Sequence, residues 1–227
     1  MAKNRGFTAQ SIALVAVFAG LIAASTLVPE IALIGGVPIT LQTFAIVLTG
    51  LVLGPWRALA AVSLYLVLGL AGAPIFANGA AGLAVLTGPT GGYLIGFVAA
   101  AVVLGFIAQA LAHRGVLARR GVAAGALIAA GLVSIPVVYA FGVPWLAWRT
   151  GMPIMPVGCT GLTDPDCVSA VTVGVVPFIP GDIVKVVLAG IVAATIHRAY
   201  PGLLGTTRTR AQAASDAPED EQAAATA

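Results

Sequence analysis

The chain has 227 residues, of which 59% are hydrophobic and only 8% charged, with a formal net charge of +3. A soluble domain carries about a quarter charged residues, so this balance excludes one and points to an integral membrane protein. A surplus of three positive charges calls for no nucleic-acid partner. The apolar stretches run about 15 to 25 residues without strict alternation, which predicts spanning helices rather than barrel strands.

In chain order the sequence predicts an all-α, polytopic protein with about six spans, near 9–28, 39–54, 58–71, 91–112, 121–141 and 177–197. Lys3 and Arg5 precede a first apolar run long enough to cross, so it reads as helix 1 and not as a cleaved signal. Along that helix Ala9, Ala13, Ala16, Gly20 and Ala24 recur every three or four residues, a stripe on which another helix can approach closely. The second and third spans are short for a hydrocarbon core of about 30 Å, and both border Gly/Pro-rich connections, Gly35-Gly36-Val37-Pro38 and Ala71-Gly72-Ala73-Pro74. Interrupted helices at membrane depth are tolerated where their irregular backbone lines a cavity, so this pair hints at a binding site. Residues 1–204 read as one membrane domain. From 205 to 227 the composition turns to Ala, Thr, Asp and Glu, which predicts a disordered cytoplasmic tail.

Cation counting sets the orientation. With both termini cytoplasmic and six crossings, nine of the eleven Lys and Arg residues lie inside. The exceptions are Arg149, in the predicted outer loop, and Lys185, in the last span, so this orientation follows the positive-inside bias. The same outer loop holds Cys159 and Cys167. Outside the cytoplasm they can form a disulfide, and two unpaired thiols are the alternative. Zinc is not expected, because His113 and His197 are remote from both thiols.

Asp182 and Lys185, in FIPGDIVKVVLAGIVAATI, are the two charges inside a long apolar segment. A charge at membrane depth costs about 2.5–3.5 kcal/mol on insertion scales, so it persists where it meets a partner, a ligand or water. At i and i+3 the two side chains share one helical face. Three other stretches are unusually specific: Val37-Pro38-Ile39-Thr40-Leu41-Gln42-Thr43, Ala73-Pro74-Ile75-Phe76-Ala77-Asn78-Gly79 and Gly88-Pro89-Thr90-Gly91-Gly92-Tyr93. Each taken singly is also compatible with ordinary turn and capping chemistry. The last lacks the lysine of a phosphate loop, so no nucleotide is read there.

Together with Pro180-Gly181-Asp182-Ile183-Val184-Lys185, these stretches, in this order and spacing over about residues 10–200, resemble the BioY family, the biotin-specific substrate-binding subunits (S components) of energy-coupling factor (ECF) transporters. The resemblance implies a six-helix membrane protein that binds biotin from outside. It implies partnership with a transmembrane coupling subunit and two cytoplasmic ATPase subunits, and no cofactor or enzymatic activity. It also implies that an AxxxA pattern on helix 1, here Ala9 and Ala13, contacts the coupling subunit. Carried to matching positions, the substrate site is Asn78, Asp182 and Lys185, with Tyr93, Gln42, Thr43 and Phe76. Biotin presents two ureido N–H donors and a carbonyl, an apolar sulfur ring and a carboxylate tail. Asp182 can accept from the ureido group, Asn78 can donate to its carbonyl, Lys185 can pair with the carboxylate or with Asp182, and Phe76 can cover the ring. The alternatives are an S component for another vitamin, a stand-alone secondary transporter using Asp182 and Lys185 as an ion relay, and an intramembrane enzyme. The last has no nucleophile–base pair or metal cluster beside the two charges.

Overall fold

Alanines sit at many of the buried helix contacts of this protein, and large apolar side chains also cover its outside. In the computed structural model, which describes residues 8–27, 40–119, 121–156 and 168–204, Ala58, Ala61, Ala100, Ala101, Ala108, Ala189 and Ala193 are fully buried, whereas Val17, Trp56 and Val67 are more than 60% exposed. Lipid offers no hydrophobic gain for packing helix on helix, so close approach through small residues supplies the dispersion contacts instead.

The described residues form helices α1 (Ala9–Ser25), α2 (Gln42–Leu53), α3 (Pro55–Leu70), α4 (Ala84–Thr87), α5 (Gly91–His113), α6 (Ala123–Leu132), α7 (Ser134–Thr150), α8 (Ala170–Gly174) and α9 (Ile179–Ala199), with single 3-10 turns at Ala77–Gly79 and Val116–Ala118. No strand occurs among them. Three runs are long and apolar enough to cross a membrane: Gly91–His113, Ala123–Thr150 and Ala170–Ala199. The helices α1, α2 and α3 are apolar but shorter. At 1.5 Å per residue α2 is only about 18 Å long, short for a hydrocarbon core of about 30 Å, as the sequence predicts for the second span.

The helix α2 is the centre of the bundle. Every residue from Ala45 to Leu53 is buried, and the helix packs against α1, α3, α5 and α9. It is apolar all round for that reason. Gly54 then turns the chain at φ 76°, ψ 173°, and Pro55 opens α3 at a position where the missing N–H costs nothing. This hinge backs onto α5 at Gly105, where a Cβ would come within 2.5 Å of the Pro55 nitrogen.

The fifth predicted span differs from the structure in its extent. It was expected to stop near Phe141, before Gly142 and Pro144, but α7 continues through Pro144 to Thr150 and ends at Gly151 in the left-handed region. Proline inside a helix removes a single hydrogen bond and bends the axis, and here the segment carries on regardless. Arg149, expected in the outer loop, therefore belongs to the last turn of α7, as does Trp148, with Trp145 one turn earlier. The break that does occur lies at Val133, between α6 and α7. Pro136 denies the Leu132 carbonyl its helical partner there, and the Ser134 hydroxyl donates to the Gly131 carbonyl at 2.6 Å. The last span gains a short preceding helix, α8, capped by Ser169, whose hydroxyl accepts from the Thr172 backbone N–H.

At one end of the bundle the Arg57 guanidinium donates to the Leu203 carbonyl, and a ring nitrogen of buried His197 lies 2.9 Å from the Leu51 carbonyl. These contacts tie the end of α9 to the α2–α3 hinge. The opposite end is open, and it holds the site.

Candidate functional site

Five segments far apart in sequence meet at the open end around a cavity of about 280 Å³: the start of α2, the 76–80 loop, the start of α5, the first turns of α7 and the start of α9. All seven residues predicted for substrate binding, Gln42, Thr43, Phe76, Asn78, Tyr93, Asp182 and Lys185, line it. Its size is close to the lower end of the roughly 300–1,000 Å³ typical of small-molecule sites.

Asp182 lies in the first turn of α9, where the unpaired N–H groups of the helix favour a carboxylate. Its side chain is buried between two donors. The Lys185 ammonium donates to Oδ1 at 3.1 Å, and the Tyr139 hydroxyl donates to Oδ2 at 2.6 Å. The ion pair is largely removed from solvent, with side-chain exposures of 10% for Lys185 and 8% for Asp182. A lone charge buried to this degree is heavily penalised, and the pair with its hydrogen bonds offsets that penalty. Each carboxylate oxygen has one partner and so keeps lone-pair capacity for a further donor.

Tyr139 is the residue that sequence reasoning missed. Its signal was present, since a phenol in the midst of an apolar run, PVVYAFG, requires a partner for its hydroxyl. The identity of that partner, 43 residues away, is a property of the fold.

Asn78 sits in the 3-10 turn at φ 57°, ψ 24° and is the one non-glycine residue with positive φ among those described. Asparagine tolerates this conformation best among residues bearing a side-chain amide. The loop around it is held at Ile75, whose carbonyl accepts from the Tyr65 hydroxyl at 3.1 Å and lies 3.1 Å from the Thr26 hydroxyl, whose single proton it shares with the Ala23 carbonyl at 2.7 Å. Tyr65, fully buried, accepts in turn from the Gln42 amide at 2.5 Å. Gln42 therefore has one donor engaged with the scaffold. Phe76 is 1% exposed and stands edge-on to Tyr65, with ring centroids 5.5 Å apart. Its ring fills the notch at Gly69, where any Cβ would strike it.

Tyr93 closes the wall between α5 and α8. Its hydroxyl donates to the Gly174 carbonyl at 2.9 Å, and its ring packs against Gly142, where a Cβ would come within 2.5 Å of it. The phenol proton is thus committed, and the ring and a lone pair remain for the cavity. Trp145 Nε1 donates to the Gly88 carbonyl at 3.0 Å and holds the turn before α5. Phe97, Val138 and Phe178 complete an apolar wall beside the polar groups.

On α1 the small-residue stripe lies outward: Ala9, Ala13, Ala16, Gly20 and Ala24 are exposed, while Phe18, Ala19 and Ile22 point into the bundle. Cys159 and Cys167 lie outside the described residues, as do residues 205–227. No group of three or more His, Cys, Asp or Glu side chains is arranged to hold a metal ion among the described residues.

Comparison with known proteins places this geometry in context. A crystal structure of the S-component for biotin from an ECF-type ABC transporter superposes with a TM-score of 0.70 at 25% identity, covering 87% of this chain and 95% of that one. The biotin transporter BioY of Rhodobacter capsulatus is 41% identical over 197 residues, 86% of this chain and 97% of the relative. That of Rhizobium etli is 34% identical over 195 residues, 85% and 95% of the two chains. The fold is thus that of an ECF S component, and the protein is a membrane protein. With the BioY family profile matching residues 1–202, the chain belongs to the BioY family.

Proposed function

We propose that this chain binds biotin in the cavity between α2, α5, α7 and α9 and serves as the substrate-binding subunit of an ECF-type transporter. One observation carries the reading: four motifs separated by up to 140 residues bring an acceptor, a cation, an amide and aromatic rings to one cavity of about 280 Å³. The kinship with biotin transporters supports the choice of ligand.

The chemistry follows from the groups present. Asp182 has lone pairs free to accept from a ureido N–H. Asn78, at the cavity mouth, donates to the ureido carbonyl. Lys185, held by Asp182 through a single contact in the empty site, turns its ammonium to the ligand carboxylate while a ureido N–H takes its place on Asp182. Phe76, Phe97 and Phe178 receive the sulfur ring. Bound this way, the ligand supplies a donor to the buried anion and an acceptor to the buried cation, leaving neither charge uncompensated.

In this reading the protein crosses the membrane six times with both termini cytoplasmic, so the cavity opens to the outside. It transfers biotin with the help of a transmembrane coupling subunit, which engages the exposed Ala9–Ala13 face of α1, and two cytoplasmic ATPase subunits. The subunit itself performs no catalysis. Calorimetric titration of the detergent-purified protein with biotin, thiamine and riboflavin tests the assignment. Tight binding of biotin alone is expected. Tight binding of another vitamin in its place, or of none by folded protein, overturns it.

A further inference from the structure

We infer that Tyr139 is a positioning residue whose hydroxyl allows the Asp182–Lys185 pair to divide between the two ends of one ligand. This rests on the reading of the cavity as a biotin site and goes beyond it by assigning a role to a residue outside the family-like motifs.

The argument begins from burial. Asp182 and Lys185 are nearly inaccessible and neutralise each other through a single contact at 3.1 Å. A ligand carboxylate that recruits Lys185 competes for the same ammonium. As Lys185 turns toward it, Asp182 loses its counter-charge while still buried, and that loss offsets the gain at the carboxylate end. The pair would then resist an anionic ligand rather than welcome it.

The second donor changes the outcome. Tyr139 donates to Oδ2, not to the oxygen that Lys185 holds, and its 2.6 Å distance is that of a short hydrogen bond to a charged acceptor. It is independent of Lys185 and survives the movement of the ammonium. Tyr139 itself is held in place, since its ring stands edge-on to Tyr93 at 6.3 Å and Tyr93 is anchored to Gly174. When a ureido N–H takes the place of Lys185 on Oδ1, Asp182 again has two donors. Tyr139 thus keeps a donor on the carboxylate while the cation works elsewhere. Tyr139 matters most for ligands that draw Lys185 away, and least for ligands with a neutral tail, which leave the Asp182–Lys185 contact intact.

The test compares biotin with biotinamide, which keeps the ring and carries an uncharged tail, on wild-type protein and on Tyr139→Phe. Removing a charge-assisted hydrogen bond is expected to lower biotin affinity roughly 10- to 100-fold, with biotinamide affected no more than about 3-fold. On an Asp182→Asn background the substitution should cost biotin almost nothing further. Equal losses for the two ligands, as a general loosening of the site would give, overturn the inference, and so does no loss for either. Wild-type protein that binds neither ligand sinks the functional reading itself, a result distinct from either. An infrared measurement on wild-type protein does not depend on recovery of the variant. The carboxylate band that disappears in Asp182→Asn should stay at the position of an ionised group when biotin is added, and its conversion to a protonated carbonyl band refutes the role assigned to Tyr139.

Discussion

Replacing Lys185 by alanine separates what the ion pair contributes to folding from what it contributes to binding. In the structure Lys185 is one of two donors to a carboxylate whose side chain is 8% exposed. Removing it leaves Asp182 buried with Tyr139 alone, and breaking a buried pair in this way costs about 3–5 kcal/mol of stability. Asp182→Asn on the same background removes the orphaned charge and should return most of that loss. Affinity follows a different course. The ligand carboxylate loses a charge-assisted contact of about 1.5–3 kcal/mol, which corresponds to roughly 10- to 150-fold weaker biotin binding in the single variant, and binding should be weaker still in the double variant, which also loses the charged acceptor for the ureido group. Biotinamide, lacking the charge, should lose little on the Lys185→Ala background. Thermal unfolding in detergent reads the first effect and calorimetric titration the second. If Lys185→Ala weakens biotin and biotinamide by the same factor, or if the double variant recovers affinity along with stability, Lys185 does not meet the carboxylate and the two-ended description of the site is wrong.

Other consequences are open to measurement. Tyr65→Phe frees the Gln42 amide and removes the Tyr65 donor to the Ile75 carbonyl; a loss of about 1–3 kcal/mol in stability is expected, with biotin affinity falling in parallel because the Asn78 loop is held less firmly, and an unchanged titration curve would contradict that link. Gly92→Ala places a Cβ against Trp145 and within 2.5 Å of the Phe141 carbonyl, so α5 and α7 must separate, whereas Gly125→Ala on α6 meets nothing within 4 Å; unfolding midpoints should fall for the first, by about 1–3 kcal/mol of stability, and hold or rise for the second. Ala13→Trp adds bulk to an exposed face and should abolish co-purification with coupling proteins while leaving biotin titration unchanged. Loss of both or of neither would remove α1 as the partner surface.

How much of this could be read in the sequence varied with the kind of interaction. Asp182 and Lys185 were conspicuous because charge in an apolar run has a cost that composition alone reveals, and their spacing of three placed them on one face. The segments around Gln42, Asn78 and Tyr93 were visible because polar and turn-forming residues interrupt helices only for a reason. What those residues do was less visible. Gln42 and Tyr93 line the cavity, yet each spends a donor on the scaffold, at Tyr65 and at Gly174, and no local pattern announces a partner 23 or 81 residues away. Tyr139 escaped notice for the same cause, since hydropathy counts a tyrosine among its apolar neighbours. The end of α7 was placed too early because Gly142 and Pro144 are breakers by propensity. In the fold Gly142 is instead the hollow that receives the Tyr93 ring.

The Ile75 carbonyl has a consequence for how this subunit answers its surroundings. It is a shared anchor point, gripped at once by Thr26 at the end of α1 and by Tyr65 in α3. The Thr26 hydroxyl also lies 2.7 Å from the Ala23 carbonyl and has one proton to share, so the link from α1 is the weaker of the two. The next side chains along that strand of backbone are Phe76 and Asn78, the floor and lip of the cavity. Displacement of α1 that breaks the Thr26 contact would leave the loop at the mouth of the cavity held at Ile75 by Tyr65 alone.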